Sequence, residues 1–526
     1  MREDLLSFLS DPKTYGLSQE VLHIETHISD VFLAGDFVYK VKKPVFFGFL
    51  DFSTLEKRKF YCEEEVRLNQ RLAQDVYLGV VPICRHRDGR LFFGDGEGEI
   101  IEYAVKMRRL DEEESLPRLI ESGRFSEGDM DRLVDKLCEF YRGQGLDKEN
   151  ARFGRPEMVK HNACENFEQI FPCIGDTILP HEFSAVESFS NTFLLEQREL
   201  FLRRAEEGNI KDCHGDLHAG HIYFSGGKPL VLDAIEFNER FRYGDAASDI
   251  AFLTMDLAFL GYPRLALLFA HKMAEALGDK DLPKLLPFYE VYRACVRGKV
   301  EGFSYLDAKD HEQRRFFLNR VRRYFRLAWR MSLGLPRPFA VVIHGLMGSG
   351  KTTLAHFAQE ALDIEAISTD KLRKTIAGTG LEPSRVPFGS GIYDAEMTKN
   401  TYIALADEGV KRLAQGKSVI FDGSFAKPWM RRLLEERLFA LEERPKWLFV
   451  YLDAPLALLE ERLNAREIAG EKISDGRLEL LQAQIAGFSP PGDGVVAPVL
   501  RVDASLPLER QLGLVFKALA SCSGMA

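Results

Sequence analysis

Cysteine is sparse and unpatterned in this 526-residue chain. Its eight residues, Cys62, Cys84, Cys138, Cys164, Cys173, Cys213, Cys295 and Cys522, include no Cys-x-x-Cys pair. That scatter offers neither a zinc knuckle nor a disulfide frame, and it reads as reduced thiols in a cytosol. Also missing is any uninterrupted apolar run long enough to span a bilayer. The opening "MREDLLSFLSDPKTYG" has acids and an amphipathic pattern, so it reads as a capped helix rather than a signal peptide. Positive charge is in deficit, with 70 Lys and Arg against 80 Asp and Glu, a net charge of -10 and a pI near 5.8. Such a balance argues against a surface that grips nucleic acid or anionic membrane throughout, while leaving room for a local basic patch. No internal repeat or low-complexity segment stands out.

What is present is the make-up of a soluble globular protein, 45% apolar and 29% charged. The length exceeds one core and suggests three or four folding units. Residues 1–107 carry strand-like pieces, "VFLAGDFVYKVKK", "VVPICRH", "GRLFFG" and "EIIEYAVKM", around one helix near "LEKRKFYCEEEVRLNQRLA". Residues 108–333 are mostly helical in period. "LGLPRPF" then has the Gly and Pro punctuation of a linker. From 338 to 522 short apolar strands alternate with helices, the mark of a parallel sheet covered on both faces.

"VVIHGLMGSGKTTLAHFAQEAL" sets Gly345, Gly350, Lys351 and Thr352 in the G-x-x-x-x-G-K-[ST] spacing, after an apolar strand and before a helix. Gly345, Gly348 and Gly350 let backbone N–H groups turn inward around a triphosphate, and the helix N-terminus adds its dipole. Lys351 reaches the β and γ oxygens of ATP, and the Thr352 hydroxyl, with Thr353 beside it, faces Mg²⁺. In "ISTDKLRK", Asp370 and Arg373 lie one helical turn apart, with Ser368 and Thr369 able to cap. "SVIFDGS" ends a buried strand on Asp422, where a Mg²⁺-directing acid belongs. Arg462 and Arg466 share a helix face suited to a lid over transferring phosphate; a solubilising surface pair is the plainer alternative, as a plain helix cap is for Asp370. These motifs resemble the P-loop kinases of the zeta-toxin, polynucleotide-kinase and chloramphenicol-phosphotransferase-like group. By that resemblance Asp370 is the base acting on an acceptor hydroxyl, Arg373 the clamp, and "TGLEPSRVPFGSGIYDAEM" shapes the acceptor pocket.

A second constellation is "CHGDLHAGHIYFSGGKPLVLDAIEF", Cys213 to Phe237, which packs His214, Asp216, His218 and His221 into one loop. Kinase-like catalysis needs a lysine on the phosphates, a helix glutamate to orient it, a catalytic Asp and a metal-binding acid. Lys40 and Lys42 lie on one face of a strand by its period of two. Glu65 follows on a helix, with Glu64 its competitor. "HGDLH", "VLDAIEF" and "YGDAASDIAF" resemble the aminoglycoside-phosphotransferase and choline-kinase class of protein-kinase-like folds, over residues 20 to 330. The resemblance implies that Asp216 is the base and Asp233 a metal ligand. Five residues past the base the family has Asn; here it is His221, a nitrogen donor where Mg²⁺ prefers oxygen. The stretch "ETHISDVFLAGD", which would cover the phosphates, offers only Gly35.

Rival readings are a zinc hydrolase built from His214, Asp216, His218 and His221, and a structural turn. His214 is expected to brace the loop, and Asp245 and Asp249 to anchor it through backbone hydrogen bonds. "EQRRFFLNRVRRYFRLAWR" interleaves arginines with aromatics, as a nucleic-acid surface does, or as a solvated face over a core does. The expected architecture is therefore α/β and α+β: a two-lobed protein-kinase-like fold followed by a P-loop parallel α/β/α sandwich. Each half is expected to move the ATP γ-phosphoryl, with Mg²⁺, to a hydroxyl of a small-molecule acceptor in the cytoplasm. The alternatives are an N-terminal nucleotide-binding regulator, and a P-loop ATPase switch.

Overall fold

The computed structural model describes residues 2–94, 96, 98–145, 149–335, 337–378, 391–469, 478–489 and 492–521, without the side chains of 466–469 and 479. The chain divides into two compact units, residues 1–261 with 265–328, and residues 262–264 with 329–526. Among the described residues no helix is long and apolar enough to cross a membrane.

The first unit opens with a six-stranded antiparallel sheet of β1 (Leu22–Glu25), β2 (Ser29–Ala34), β3 (Phe37–Lys42), β4 (Tyr77–Arg85), β5 (Leu91–Phe93) and β6 (Glu99–Arg108), in the order β1-β2-β3-β6-β4-β5. β2 and β3 form a tight hairpin around Gly35, whose φ of 60° is the left-handed value such a turn needs. The helix Leu55–Ala73 begins at Thr54, whose hydroxyl accepts from the Lys57 N–H. Its buried stripe of Cys62, Glu65, Leu68, Asn69 and Leu72 follows helical spacing. Glu65 thus lies on the buried face and Glu64 does not. Glu64 instead pairs with Arg67 across one turn at 2.6 Å.

Helices make up most of the rest of the unit. Ala246–Phe259 is buried almost all round and packs on Leu282–Asp307, so its sequence is mostly apolar, with Asp249 and Asp256 buried among the apolar residues. Between helices run β7 (Ile210–Asp212), β8 (Ile222–Ser225), β9 (Lys228–Val231) and β10 (Tyr243–Asp245). β8 and β9 are joined by Gly226-Gly227, with φ of 57° and 76°, the positive pair that a two-residue hairpin demands. Its register pairs Ile222 with Val231, and the Leu232 N–H donates to the His221 carbonyl at 2.9 Å. The hairpin thereby sets His221 and Asp233 side by side. The helix His311–Ser332 buries Val321, Tyr324, Phe325 and Ala328. Its Arg320 pairs with Glu301 at 2.7 Å, as in a solvated face over a core.

The second unit holds a parallel sheet of β11 (Phe339–His344), β12 (Glu365–Ser368), β13 (Val419–Asp422), β14 (Lys446–Asp453) and β15 (Val499–Asp503), ordered β12-β13-β11-β14-β15. Alternation on β11 explains the sandwich. Val341 and Ile343 pack with Leu354, Leu512 and Val515 on one side, while Ala340 and Val342 pack with Tyr402, Leu405 and Leu434 on the other. Loops carrying chemistry gather past the strand ends, where open α/β sheets bind ligands.

Candidate active sites

In the first unit β3 delivers both lysines to one buried spot. Lys40 Nζ lies 2.6 Å from Asp233 Oδ1 and 2.9 Å from Glu65 Oε1. Lys42 Nζ is 2.6 Å from Glu65 Oε2 and also donates to Glu236 Oε1. Burial works against the charge on Lys40, yet Asp233 and Glu65 outweigh it and hold its pKa well above the usual value. Burial pushes the Glu236 carboxyl up, with Lys42 opposing. Glu236 is the functional-looking residue that sequence reasoning assigned no role: it pairs across 194 residues, and no local pattern announces it.

Asp233 lies two residues past β9 rather than ending it, with a left-handed φ of 64°. That conformation is held from outside. Its own N–H donates to the Tyr77 hydroxyl at 3.1 Å, and the next N–H, of Ala234, donates to Asn69 Oδ1 at 2.8 Å. Asp216 and His221 sit beside it. His221 Nδ1 is 3.0 Å from the Asp216 carbonyl, which can only accept, so the proton is on Nδ1. Nε2 faces Asp233 Oδ2 at 3.8 Å. Asp216, His218 and His221 offer donor atoms all within 4.8 Å of one another.

His214 does not join them, so the four-ligand zinc arrangement does not form. It is wholly buried, its Nε2 is 2.8 Å from the Leu232 carbonyl, and burial drops its pKa to about 3. It braces the loop, as expected. Of the two downstream acids, Asp249 is the anchor, accepting the His214 N–H at 2.7 Å and the Gly215 N–H at 3.0 Å. Asp245 departs from expectation. It caps its own helix through the Ala247 N–H and pairs with Arg204 at 2.6 Å, because β10 turns it toward that arginine. Asp256 takes the Ala219 N–H at 2.9 Å, a further anchor the sequence hid.

Two lysines face three carboxylates, Glu65, Asp233 and Glu236, with Asp216 a fourth nearby. The surplus of negative charge matches a divalent cation. The cluster Asp216, His218 and His221 offers one carboxylate oxygen and two imidazole nitrogens, with Asp233 3.8 Å from His221, which is less oxygen than Mg²⁺ favours.

The second unit builds its site on the loop between β11 and the helix Lys351–Leu362. Gly345, Gly348 and Gly350 have φ of 146°, 77° and 96°. A Cβ on Gly345 would fall 2.9 Å from the Leu452 carbonyl oxygen, so backbone crowding and φ both select glycine. Lys351 Nζ donates to the Leu346 carbonyl at 2.8 Å, closing the loop on itself. Thr352 Oγ1 donates to Asp422 Oδ2 at 2.9 Å, which joins the first helical turn to the end of β13. Burial raises the Asp422 carboxyl, with Lys351 and Thr352 opposing. A hydroxyl and a carboxylate are hard oxygen donors and fit Mg²⁺. Thr353 stands exposed on the same turn.

Asp370 is the second residue of the helix Thr369–Ile376, and its carboxylate lies 3.3 Å from Arg373 Nη1. Neither Ser368 nor Thr369 caps that helix as the sequence suggested: the Thr369 hydroxyl donates to the Asp422 carbonyl at 3.3 Å. That bond ties the Asp370 helix to Asp422 at the end of β13. Arg373 stacks over the Tyr393 ring at 4.5 Å. Arg462 spends its donors on backbone, reaching the Ser349 carbonyl at 3.2 Å and the Ala504 carbonyl at 2.9 Å, and so braces the glycine loop. The Arg466 side chain and residues 379–390 of the expected acceptor segment lie outside the described residues.

A family model described as an AAA domain matches residues 341–491, the stretch that carries this loop. An uncharacterized protein of Mycobacterium tuberculosis, Rv2004c, is 30% identical over 499 residues, covering 94% of each chain. The chain belongs to its family. Mb2027c of Mycobacterium bovis, also uncharacterized, matches with the same identity and coverage. Both units are therefore family features. Among solved structures, a gluconokinase from Sinorhizobium meliloti is 25% identical and covers 35% of this chain and 93% of its own, at a TM-score of 0.26. Aminoglycoside 2'-phosphotransferase-IIIa, in its GDP complex, is 14% identical and covers 62% and 99%, at 0.36. With TM-scores this low, the fold is read from the sheets and loops themselves.

Proposed function

We propose that the chain joins two ATP-dependent phosphotransferases, an aminoglycoside-phosphotransferase-like unit and a P-loop kinase unit. Each aims a carboxylate at the hydroxyl of a small-molecule acceptor. The observation that carries the reading is the Thr352–Asp422 hydrogen bond beneath a loop of three left-handed glycines. In the second unit Lys351 exchanges the Leu346 carbonyl for phosphate oxygens, and Asp370 Oδ takes the acceptor proton while Arg373 fixes its carboxylate. In the first unit Lys40, oriented by Glu65, holds phosphate, and Asp216 takes the proton. Asp233 with His221, and Thr352 with Asp422, would hold Mg²⁺, which supplies charge neutralisation on the β and γ phosphates.

The test is γ-³²P transfer from ATP into a metabolite extract by the full chain, by Lys351→Ala, by Asp216→Asn and by the double variant. Each single variant should lose its own set of labelled products, and the double variant all of them. ATP consumption surviving in the double variant would refute the assignment. A second reading, in which the first unit only binds nucleotide and regulates, is favoured by the imidazole at 221 in place of an oxygen donor. It predicts no labelled product lost in Asp216→Asn.

A further inference from the structure

The second unit buries a guanidinium that the Asp493 carboxylate offsets electrostatically but whose two terminal nitrogens have no hydrogen-bond partner among the described residues. Arg431, in the first turn of the helix Pro428–Phe439, is 0% exposed. Its Nε donates to the Asp493 carbonyl at 3.0 Å, but Nη1 and Nη2 are buried without a hydrogen-bond partner. His344, the last residue of β11 before Gly345, is also 0% exposed, and both its ring nitrogens lack partners. Aromatic rings pack near it, Tyr451 at 5.4 Å and Phe449 at 5.8 Å between ring centres. Arg373 adds a third orphan, its buried Nε.

These groups belong to one neighbourhood. Arg431 and Lys351 both act on His344 to keep its ring neutral, after burial itself. Tyr402 is within electrostatic reach of Arg431, Arg373 and Asp370. It is held there by the Phe425 N–H at 2.9 Å and Ser424 Oγ at 3.2 Å. Buried guanidinium N–H groups left without hydrogen bonds are costly even with a carboxylate such as Asp493 in electrostatic reach. A fold that keeps such a group next to its reaction centre has a use for it, and planar, forked N–H donors match an oxyanion.

We infer that Arg431, with His344, is the recognition site for an anionic group, a carboxylate or a phosphate ester, carried by the alcohol that the second unit phosphorylates. This rests on the kinase reading of that unit and narrows its substrate class. The acceptor's hydroxyl lies at Asp370 and its anion at Arg431, and Tyr402 is within electrostatic reach of both.

The experiment uses the full chain saturated with Mg²⁺ and the non-hydrolysable analogue AMPPNP, which fills the phosphate sites of both units. Inorganic phosphate and acetate are then titrated separately by calorimetry into wild type, Arg431→Met and Arg431→Lys. Wild type should bind one of the two anions at one site per chain, and Arg431→Met should weaken it by about 30-fold or more. Binding of phosphate alone assigns a phosphate ester, and binding of acetate alone a carboxylate. Because methionine removes two buried nitrogens without hydrogen bonds, Arg431→Met without added anion should melt no lower than wild type. A lowered melting temperature together with unchanged anion binding would make Arg431 a structural residue and overturn the inference. So would failure of wild type to bind either anion. Neither outcome touches the kinase reading, which stands or falls on ATP turnover in Lys351→Ala.

Discussion

Replacing Asp249 with Asn should disable the first unit's chemistry without touching a residue that meets substrate. Asp249 is fully buried and uses both oxygens: Oδ2 accepts the His214 N–H at 2.7 Å and Oδ1 the Gly215 N–H at 3.0 Å. Arg293 Nη2 lies 3.6 Å from Oδ1, and Arg293 Nη1 also donates to the Gly215 carbonyl at 2.8 Å. An asparagine amide keeps one acceptor and turns two hydrogens toward donors already there. One backbone N–H is then orphaned, at about 1–3 kcal/mol. Arg293 loses its counter-charge, and breaking a buried pair costs about 3–5 kcal/mol. The terms overlap, so the expected loss is about 3–5 kcal/mol, a large part of the roughly 5–15 kcal/mol that holds a domain folded. The unit should stay folded while the loop before Asp216 comes loose. Hydrogen exchange of peptides covering 213–217 should quicken, and first-unit ATP turnover, read in a Lys351→Ala background, should fall sharply. Second-unit turnover, read in an Asp216→Asn background, should not change. Wild-type exchange at 213–217 with wild-type first-unit turnover would show that the carboxylate does not hold the loop.

Lys42→Met should cost about 3–5 kcal/mol because it leaves Glu236 buried and unpaired; denaturant titration of Lys42→Met with Glu236→Gln should show much of that loss recovered, and simple additivity would speak against the pair. His221→Asn replaces an imidazole nitrogen by an oxygen donor, so the ratio of Mn²⁺ to Mg²⁺ affinity in the nucleotide-bound first unit should drop about 10-fold or more, with an unchanged ratio counting against His221 as a ligand. His344 has its pKa lowered by burial to about 3, below the unfolded value near 6.5. Its contribution to stability is therefore full above about pH 6.5 and shrinks as pH falls toward 3, by up to about 1.4 kcal/mol per pH unit. The second unit of His344→Phe should lose less stability than wild type between pH 6.5 and 4.5, and parallel losses would contradict the burial of a neutral ring.

What could be read from the chain was whatever chemistry is written in contiguous residues. The glycine loop at 345–352 is local, because strand, turn and helix follow one another and φ constraints single out its glycines. The alternation of short apolar strands with helices foretold a parallel sheet covered on both faces. The period of two on β3 put Lys40 and Lys42 together, and the hairpin after His221 explains why Asp233 returns to it. Partnerships across the fold were another matter. Glu65 over Glu64, Asp249 over Asp245, and Glu236 as the second partner of Lys42 each depend on which face a helix buries or where a turn points. So does the burial of Arg431, whose sequence surroundings are those of any amphipathic helix. Backbone periodicity is set by neighbours in the chain, and it alone fixed the elements and the phosphate loop. Burial and charge pairing are set by neighbours in space, and only the packed fold decided which acids answer which bases.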